Sequence, residues 1–275
     1  MTIFDKVYQN LLKDILDNGI EDVNARSQYT CKAIPGAHFN LDLQKSGFPL
    51  LTLRKLPLKI FVAEQIWFLM GNNDPAWLRP FTKIWDSFIE EDGKVTSYGY
   101  RWRKHFGRDQ LGELIKHLKE KPTSRHGVVI AWDPTSDGLT GKPRKNVPCL
   151  FAFTVNIIGN KVCLHNVVRS QDVFLGMPHD VPGFALLQMI IAQELGLEPG
   201  TYSHSISNAH FYADQYDAAR ELLTRKNNHQ EIKLVLPENS FKRAEAGDTK
   251  LVEEIVAQIK AQYHPLEAIK GVRPH

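Results

Sequence analysis

LFAFTVNII-GN-KVCLHNVVRS, residues 150–170, reads as two strands joined at Gly159-Asn160. Branched and aromatic apolar residues fill both runs, and Gly-Asn between such runs marks a turn. VVIAW (128–132) is a further strand upstream, and residues 28–44 look extended. Helical spacing surrounds this block. Phe4, Val7, Tyr8, Leu11, Leu12 and Ile15 predict a helix over 3–18, with Gly19 past its end. PLKIFVAEQIWFLMG (57–71) reads as a buried helix that Pro57 opens and Gly71 closes. A short helix is expected over 74–81, an amphipathic one over 109–120, a long apolar one over 181–196 and another over 208–223. QEIKLVL (230–236) reads as a strand, and the charged stretch 239–254 as a solvated surface with helix. Helices and strands intermix without strict βαβ alternation, which gives an α+β fold with a large mixed sheet.

A chain of 275 residues with 43% hydrophobic and 24% charged residues suits one globular domain spanning 1–275. The 34 basic and 31 acidic residues leave a net charge of +3 and no basic stripe, so no nucleic-acid partner is expected. Cys31, Cys149 and Cys163 are too few and too widely spaced for a zinc site or a disulfide framework. The amphipathic N-terminus lacks the apolar core of a signal peptide, and no apolar run approaches a membrane span. These features predict a reduced, cytoplasmic protein with no membrane or metal partner.

A lone cysteine is more often a small hydrophobe than a nucleophile, and Cys31 and Cys163 read that way. Cys149 stands apart because of its company. It follows Pro148 at the mouth of an apolar strand, and RSQDVFLGMPHD (169–180) gathers Arg, Ser, Asp and His between a strand and an apolar helix. Loops at strand ends are where sites are built. An Arg-Ser pair suits a phosphate, because guanidinium and hydroxyl both donate to its oxygens.

Together with GFPLLTLRK (47–55), EQIWFLMGN (64–72), KIWDSF (83–88), YGYRW (98–102), AHFY (209–212) and YHPLEAIKG (263–271), these segments resemble thymidylate synthase and its sister hydroxymethylases, in the family's order. The resemblance implies a single domain with a large twisted sheet flanked by helices, packed back to back in a symmetric homodimer. It implies 5,10-methylenetetrahydrofolate as cofactor and a pyrimidine deoxynucleotide as substrate. Cys149 matches the nucleophile, Glu64 the acid that organises water near the ring, and Trp85 and Tyr98 residues around the reacting carbon. Arg26, Arg169 and Ser170 match phosphate ligands. Arg125 matches an arginine that reaches the partner's phosphate, with His126 in place of a second. His210 and Tyr212 match the pair on the sugar 3′-hydroxyl. Arg54, Ile84, Asp172, Leu175 and Gly176 fall where the family meets its folate.

Asp180 departs from the synthase pattern, which has Asn there. The Asn accepts from uracil N3–H and donates to O4. Cytosine reverses that edge, and a carboxylate accepts from its N4 amino group, whereas it would meet uracil O4 oxygen to oxygen. Asp180 therefore points to a cytidine nucleotide and to the deoxycytidylate hydroxymethylases, in which water captures the one-carbon unit. Deoxycytidylate methylation, deoxyuridylate methylation and a silent nucleotide-binding regulator stand as alternatives; Trp85 and YHPLEAIKG favour a methyl product by shielding from water. Leu150 and Val168 replace a His and a Gln of the family and remove polar groups from the site.

Overall fold

The turn at Gly159-Asn160 joins two neighbouring antiparallel strands of the sheet. The computed structural model describes residues 1–24, 28–139 and 144–269. Its strands are β1 (Ile20–Val23), β2 (Thr30–Asp42), β3 (Val128–Ile130), β4 (Leu150–Ile158), β5 (Lys161–Val168), β6 (Gln171–Asp172) and β7 (Glu198–Tyr212). Among the described residues they form one sheet in the order β1-β2-β7-β5-β4-β3, with β6 also on β7. β5 and β6 run parallel to β7 and the other pairs are antiparallel, so the sheet is mixed. Gly159 and Asn160 both have positive φ, 57° and 59°, the requirement of a tight two-residue hairpin turn.

The helices are α1 (Ile3–Asn18), α2 (Leu43–Ser46), α3 (Leu58–Leu69), α4 (Tyr98–Tyr100), α5 (Gln110–Glu120), α6 (Met177–Glu194), α7 (Tyr216–Thr224), α8 (Ser240–Glu245) and α9 (Thr249–Lys260). Thr2 and Asp5 close a capping box at the start of α1. α3 and α6 are apolar nearly all round, as helices enclosed by neighbours must be. α6 covers one face of the sheet, where Val162, Leu164, Asn166 and Val168 of β5 and Tyr202, His204 and Ile206 of β7 are buried, and α3 packs against α6. The alternate residues Cys163, His165, Ser203 and Ser205 stay half-exposed on the other face. None of the helices is long and apolar enough to cross a membrane, among the described residues.

Four expectations change. Residues 208–212 belong to β7 rather than to a helix over 208–223. Tyr202, His204 and Ile206 alternate with serines at period two, and α7 starts only at Tyr216, after a turn at 213–215. Residues 230–236 form no strand of the sheet; Phe48↔Ile232 is an isolated bridge. Side chains of α9 and its end bind that backbone instead: Gln262 bonds Lys233 N and O at 3.0 and 2.7 Å, and Gln258 accepts from Val235 N at 3.2 Å. The stretch 239–254 is helical as expected and exposes Lys242, Lys250, Glu253 and Glu254, but it is not surface alone, because Phe241, Ala244, Leu251 and Val252 are buried. Finally, α6 begins at Met177, so Asp180 sits in its first turn rather than in a loop. Pro178 is tolerated there because the first-turn N–H groups have no partners within the helix.

Candidate active site

Strand register brings Cys149 and Arg169 together. From the hairpin turn the ladder runs Ile158↔Lys161 to Ala152↔Val167 and shifts at Phe151, so that Leu150 faces Val168. Phe151 O accepts from both Ala131 N and Trp132 N, a bulge at the site's edge. One step further, Arg169 N donates to Cys149 O at 2.9 Å. Arg169 Nη2 lies 3.7 Å from Cys149 Sγ. The guanidinium is held by Pro148 O at 2.8 Å and Val147 O at 3.1 Å, and lies 5.7 Å from the Trp132 ring centre. β5 and β6 both pair with β7, at Val168↔Ile206 and Gln171↔Ala209, so Arg169 and Ser170 occupy the break between them.

Above the strand ends stands an aromatic wall. Tyr98 Oη accepts from Cys149 N and Leu150 N at 3.3 and 3.4 Å, and its ring packs edge-on against Phe68, Trp85 and Phe184. Burial pushes the Tyr98 phenol well above its ordinary range, with the Cys149 and Asp180 charges adding to the shift. Trp85 Nε1 donates to Glu64 Oε1 at 2.6 Å. Burial pushes the half-buried Glu64 up to about 8 against the opposing pull of that bond, and Asp180 adds to the rise.

Asp180 is the second displaced acid. Burial pushes it up to about 6; the bond from Gln171 Nε2 to Oδ2, 2.6 Å, opposes this and Asp172 adds to it. Asp172 Oδ1 caps the turn into α6 by accepting from Phe174 N at 2.9 Å and Leu175 N at 2.8 Å. Burial raises the Asp172 carboxyl as well. His210 faces Asp172 across the β6–β7 pairing and stands edge-on to Tyr212, with ring centres 5.5 Å apart. His210 Nδ1 contacts Asn208 Oδ1 at 3.0 Å.

Arg54 donates from Nη2 to Phe174 O at 2.6 Å and lies over the Phe174 ring. Its Nε and His179 Nδ1 are buried with no hydrogen-bond partner among the described residues. Burial depresses His179 to about 4, and the nearby Arg54 charge adds to this. Leu175 and Gly176 are half-exposed beside this region and Ile84 is exposed. The C-terminal segment is pinned against residues 51–56: Tyr263 Oη donates to Leu51 O at 2.9 Å and Leu266 N to Thr52 O at 2.9 Å.

Cys149, Arg169, Tyr98, Trp85, Glu64, Asp180, Asp172 and His210 thus form one contiguous group. Arg125 and His126 are exposed ahead of β3, and His126 stacks on His117 of α5, apart from that group. Arg26, Lys270 and Gly271 lie outside the described residues. A cavity of about 540 Å³ lined by Phe48, Met189, Leu234 and Leu236 contains none of the expected site residues. Sequence reading missed Gln171, His204, Tyr202 and Trp132. The alternation of polar and apolar residues over 202–206 was the signal for two of them, because it puts Tyr202 and His204 on the buried face. A family model described as thymidylate synthase matches residues 6–269, and the chain belongs to the thymidylate synthase family, whose members transfer a one-carbon unit from methylenetetrahydrofolate to a pyrimidine nucleotide.

Proposed function

We propose that the protein is a deoxycytidylate hydroxymethylase. Asp180 carries this reading. It presents a carboxylate where the synthase pattern has an amide, and Gln171 engages only its Oδ2. The remaining oxygen accepts from the N4 amino group of cytosine, whereas uracil O4 would face it oxygen to oxygen.

Cys149 Sγ adds to carbon 6 of the base and makes carbon 5 nucleophilic. A guanidinium at 3.7 Å supports the thiolate over the thiol. When bound, methylenetetrahydrofolate supplies the electrophilic one-carbon unit. Arg54 Nε and His179 Nδ1, without a partner among the described residues and beside the Asp172–Gly176 turn, fit a flat heterocycle with a polar edge. Arg54, Ile84, Asp172, Leu175 and Gly176 hold it in this reading. Glu64 keeps its proton at neutral pH and hands it to or takes it from water over the ring. Once carbon 5 holds that unit, loss of the carbon 5 proton and of tetrahydrofolate as leaving group leaves a methylene on carbon 5. Water adds to this methylene and gives up a proton, and the Cys149 thiolate departs from carbon 6 to restore the ring double bond and release the product. Arg169 and Ser170 hold the phosphate with Arg26, and His210 and Tyr212 hold the sugar 3′-hydroxyl.

A methyl product on the same nucleotide is the second reading. Trp85, bonded to Glu64, and the segment from Tyr263, pinned to Leu51, favour it, since they match parts that shield the intermediate from water in the synthases. Weighing the nucleotide after incubation with methylenetetrahydrofolate decides. Deoxycytidylate should gain about 30 mass units for a hydroxymethyl group; a gain of about 14 means a methyl group. Turnover of deoxyuridylate alone would reject the cytosine reading.

The sheet face with exposed His38 and half-exposed His165 and Ser205 supports a symmetric homodimer in which Arg125 serves the partner's phosphate. Arg125→Ala is expected to weaken nucleotide binding. Mixing it with Cys149→Ala protein should restore activity through hybrid dimers that hold one intact site. Hybrid dimers that form without any rescue would reject the shared site.

A further inference from the structure

A line of deeply buried polar side chains ends at Asp180. Asn166 of β5 and Tyr202 and His204 of β7 have no exposed surface, and Gln171 of β6 has almost none. Asn166 Nδ2 donates to Tyr202 Oη at 2.9 Å. Tyr202 Oη meets His204 Nδ1 at 2.9 Å, and His204 Nε2 meets Gln171 Oε1 at 3.0 Å. Gln171 Nε2 reaches Asp180 Oδ2 at 2.6 Å.

Chemistry fixes the direction of every link. A carboxylate only accepts, so Gln171 must present Nε2 to it and turn Oε1 toward His204. Oε1 only accepts, so His204 carries its proton on Nε2. Burial depresses His204 to about 3, so it has that one proton and Nδ1 is an acceptor. Tyr202 therefore donates to Nδ1, and its oxygen takes the Asn166 N–H. All four donors point one way, toward Asp180.

We propose that Asn166, Tyr202, His204 and Gln171 are positioning residues for nucleotide choice, a one-way relay that fixes Asp180 as an acceptor and directs its free oxygen at the base. The proposal rests on the cytosine reading above. Hydrogen bonds in such a chain polarise one another, so its far end influences the near one. Other titratable groups around Asp180 are Glu64 from α3, Tyr98 from α4, Asp172 from β6 and His179 on its own turn. None of these is bonded to Oδ2.

The test compares kcat/KM for deoxycytidylate and deoxyuridylate across pH in the unaltered protein, Gln171→Met and Tyr202→Phe. Gln171→Met keeps the length and removes the donor. Its preference for deoxycytidylate should fall about tenfold or more, the worth of a hydrogen bond to a charged group. The acid limb of its deoxycytidylate profile should move up by about one pH unit, because the charged form of Asp180 loses a donor. Tyr202→Phe deletes one hydroxyl and frees His204 to carry its proton on Nδ1, so it should shift both quantities the same way by less. A purely structural role would lower both substrates alike and leave the limb in place, and that result overturns the relay. Should Gln171→Met not fold, Tyr202→Phe decides alone. Unaltered protein that turns over only deoxyuridylate rejects the cytosine reading and the relay with it. Deoxycytidylate turnover with unshifted variants rejects the relay alone.

Discussion

Cys149→Ser should yield a folded protein that binds nucleotide and turns it over at least about 10⁴-fold more slowly. The change replaces one atom at a half-buried position, so thermal stability should stay within about 1 kcal/mol. Chemistry changes far more. A hydroxyl at this position is deprotonated far less readily than a thiol, and the Arg169 guanidinium at 3.7 Å from Sγ lacks the strength to make up that difference. The backbone that aims the nucleophile is unaffected: Cys149 N and O are held by Tyr98 Oη and Arg169 N. Nucleotide binding should therefore survive, since it relies on other groups. Mass spectrometry gives the second readout. A 5-fluoro-deoxycytidylate adduct should form on the unaltered protein with methylenetetrahydrofolate and be missing from Cys149→Ser. A variant within about tenfold of full activity would exclude covalent catalysis through this residue.

The sequence made the meeting of Cys149 and Arg169 largely legible. Two apolar runs around Gly159-Asn160 imply a hairpin, and a hairpin sets which residues face each other. The shift at Phe151 was not legible, because a bulge answers to the neighbouring β3 and Trp132 as well as to its own residues. Helices α1, α3 and α5 appeared close to their expected limits, since their apolar spacing and end residues act locally. β7 did not. Its polar, serine-rich alternation carries little hydrophobic signal, and what makes it a central strand is the presence of β2 on one side and β5 and β6 on the other. The segment 230–236 failed in the opposite sense: it has strand-like residues but side chains of α9 occupy its backbone groups. Family motifs named Asp180 and Cys149. The side chains behind Asp180 carry no motif; only the fold joins residues 166, 171, 202 and 204.

Asp180→Asn should reverse the choice of nucleotide. The relay makes this sharper than a simple loss of charge. Gln171 Nε2 continues to point at the position of Oδ2, so the new amide must place its oxygen there and turn its NH₂ toward the base. That NH₂ donates to uracil O4 and collides with the cytosine amino group, the opposite of the carboxylate. With each mismatch costing about 1–3 kcal/mol, the ratio of kcat/KM for deoxycytidylate over deoxyuridylate should fall by roughly 10²–10⁴-fold. The pH profile should change with it. Burial raises Asp180 to about 6, so the unaltered protein loses its acceptor, and activity on deoxycytidylate, as pH falls through about 6. The amide introduced by Asp180→Asn has no proton to gain, and the variant's profile should lack that limb. Stability moves the other way: a carboxyl whose folded pKa is raised makes the fold less stable as pH climbs from the unfolded value near 4 to about 6, so the variant should lose that slope in thermal melts as well. Competition between the two nucleotides, assayed at pH 5 and pH 8, separates the alternatives. A variant that still prefers deoxycytidylate at both would mean that the base is selected elsewhere in the site; equal loss of both substrates would make Asp180 a structural acid, held by Gln171 for packing rather than for choice.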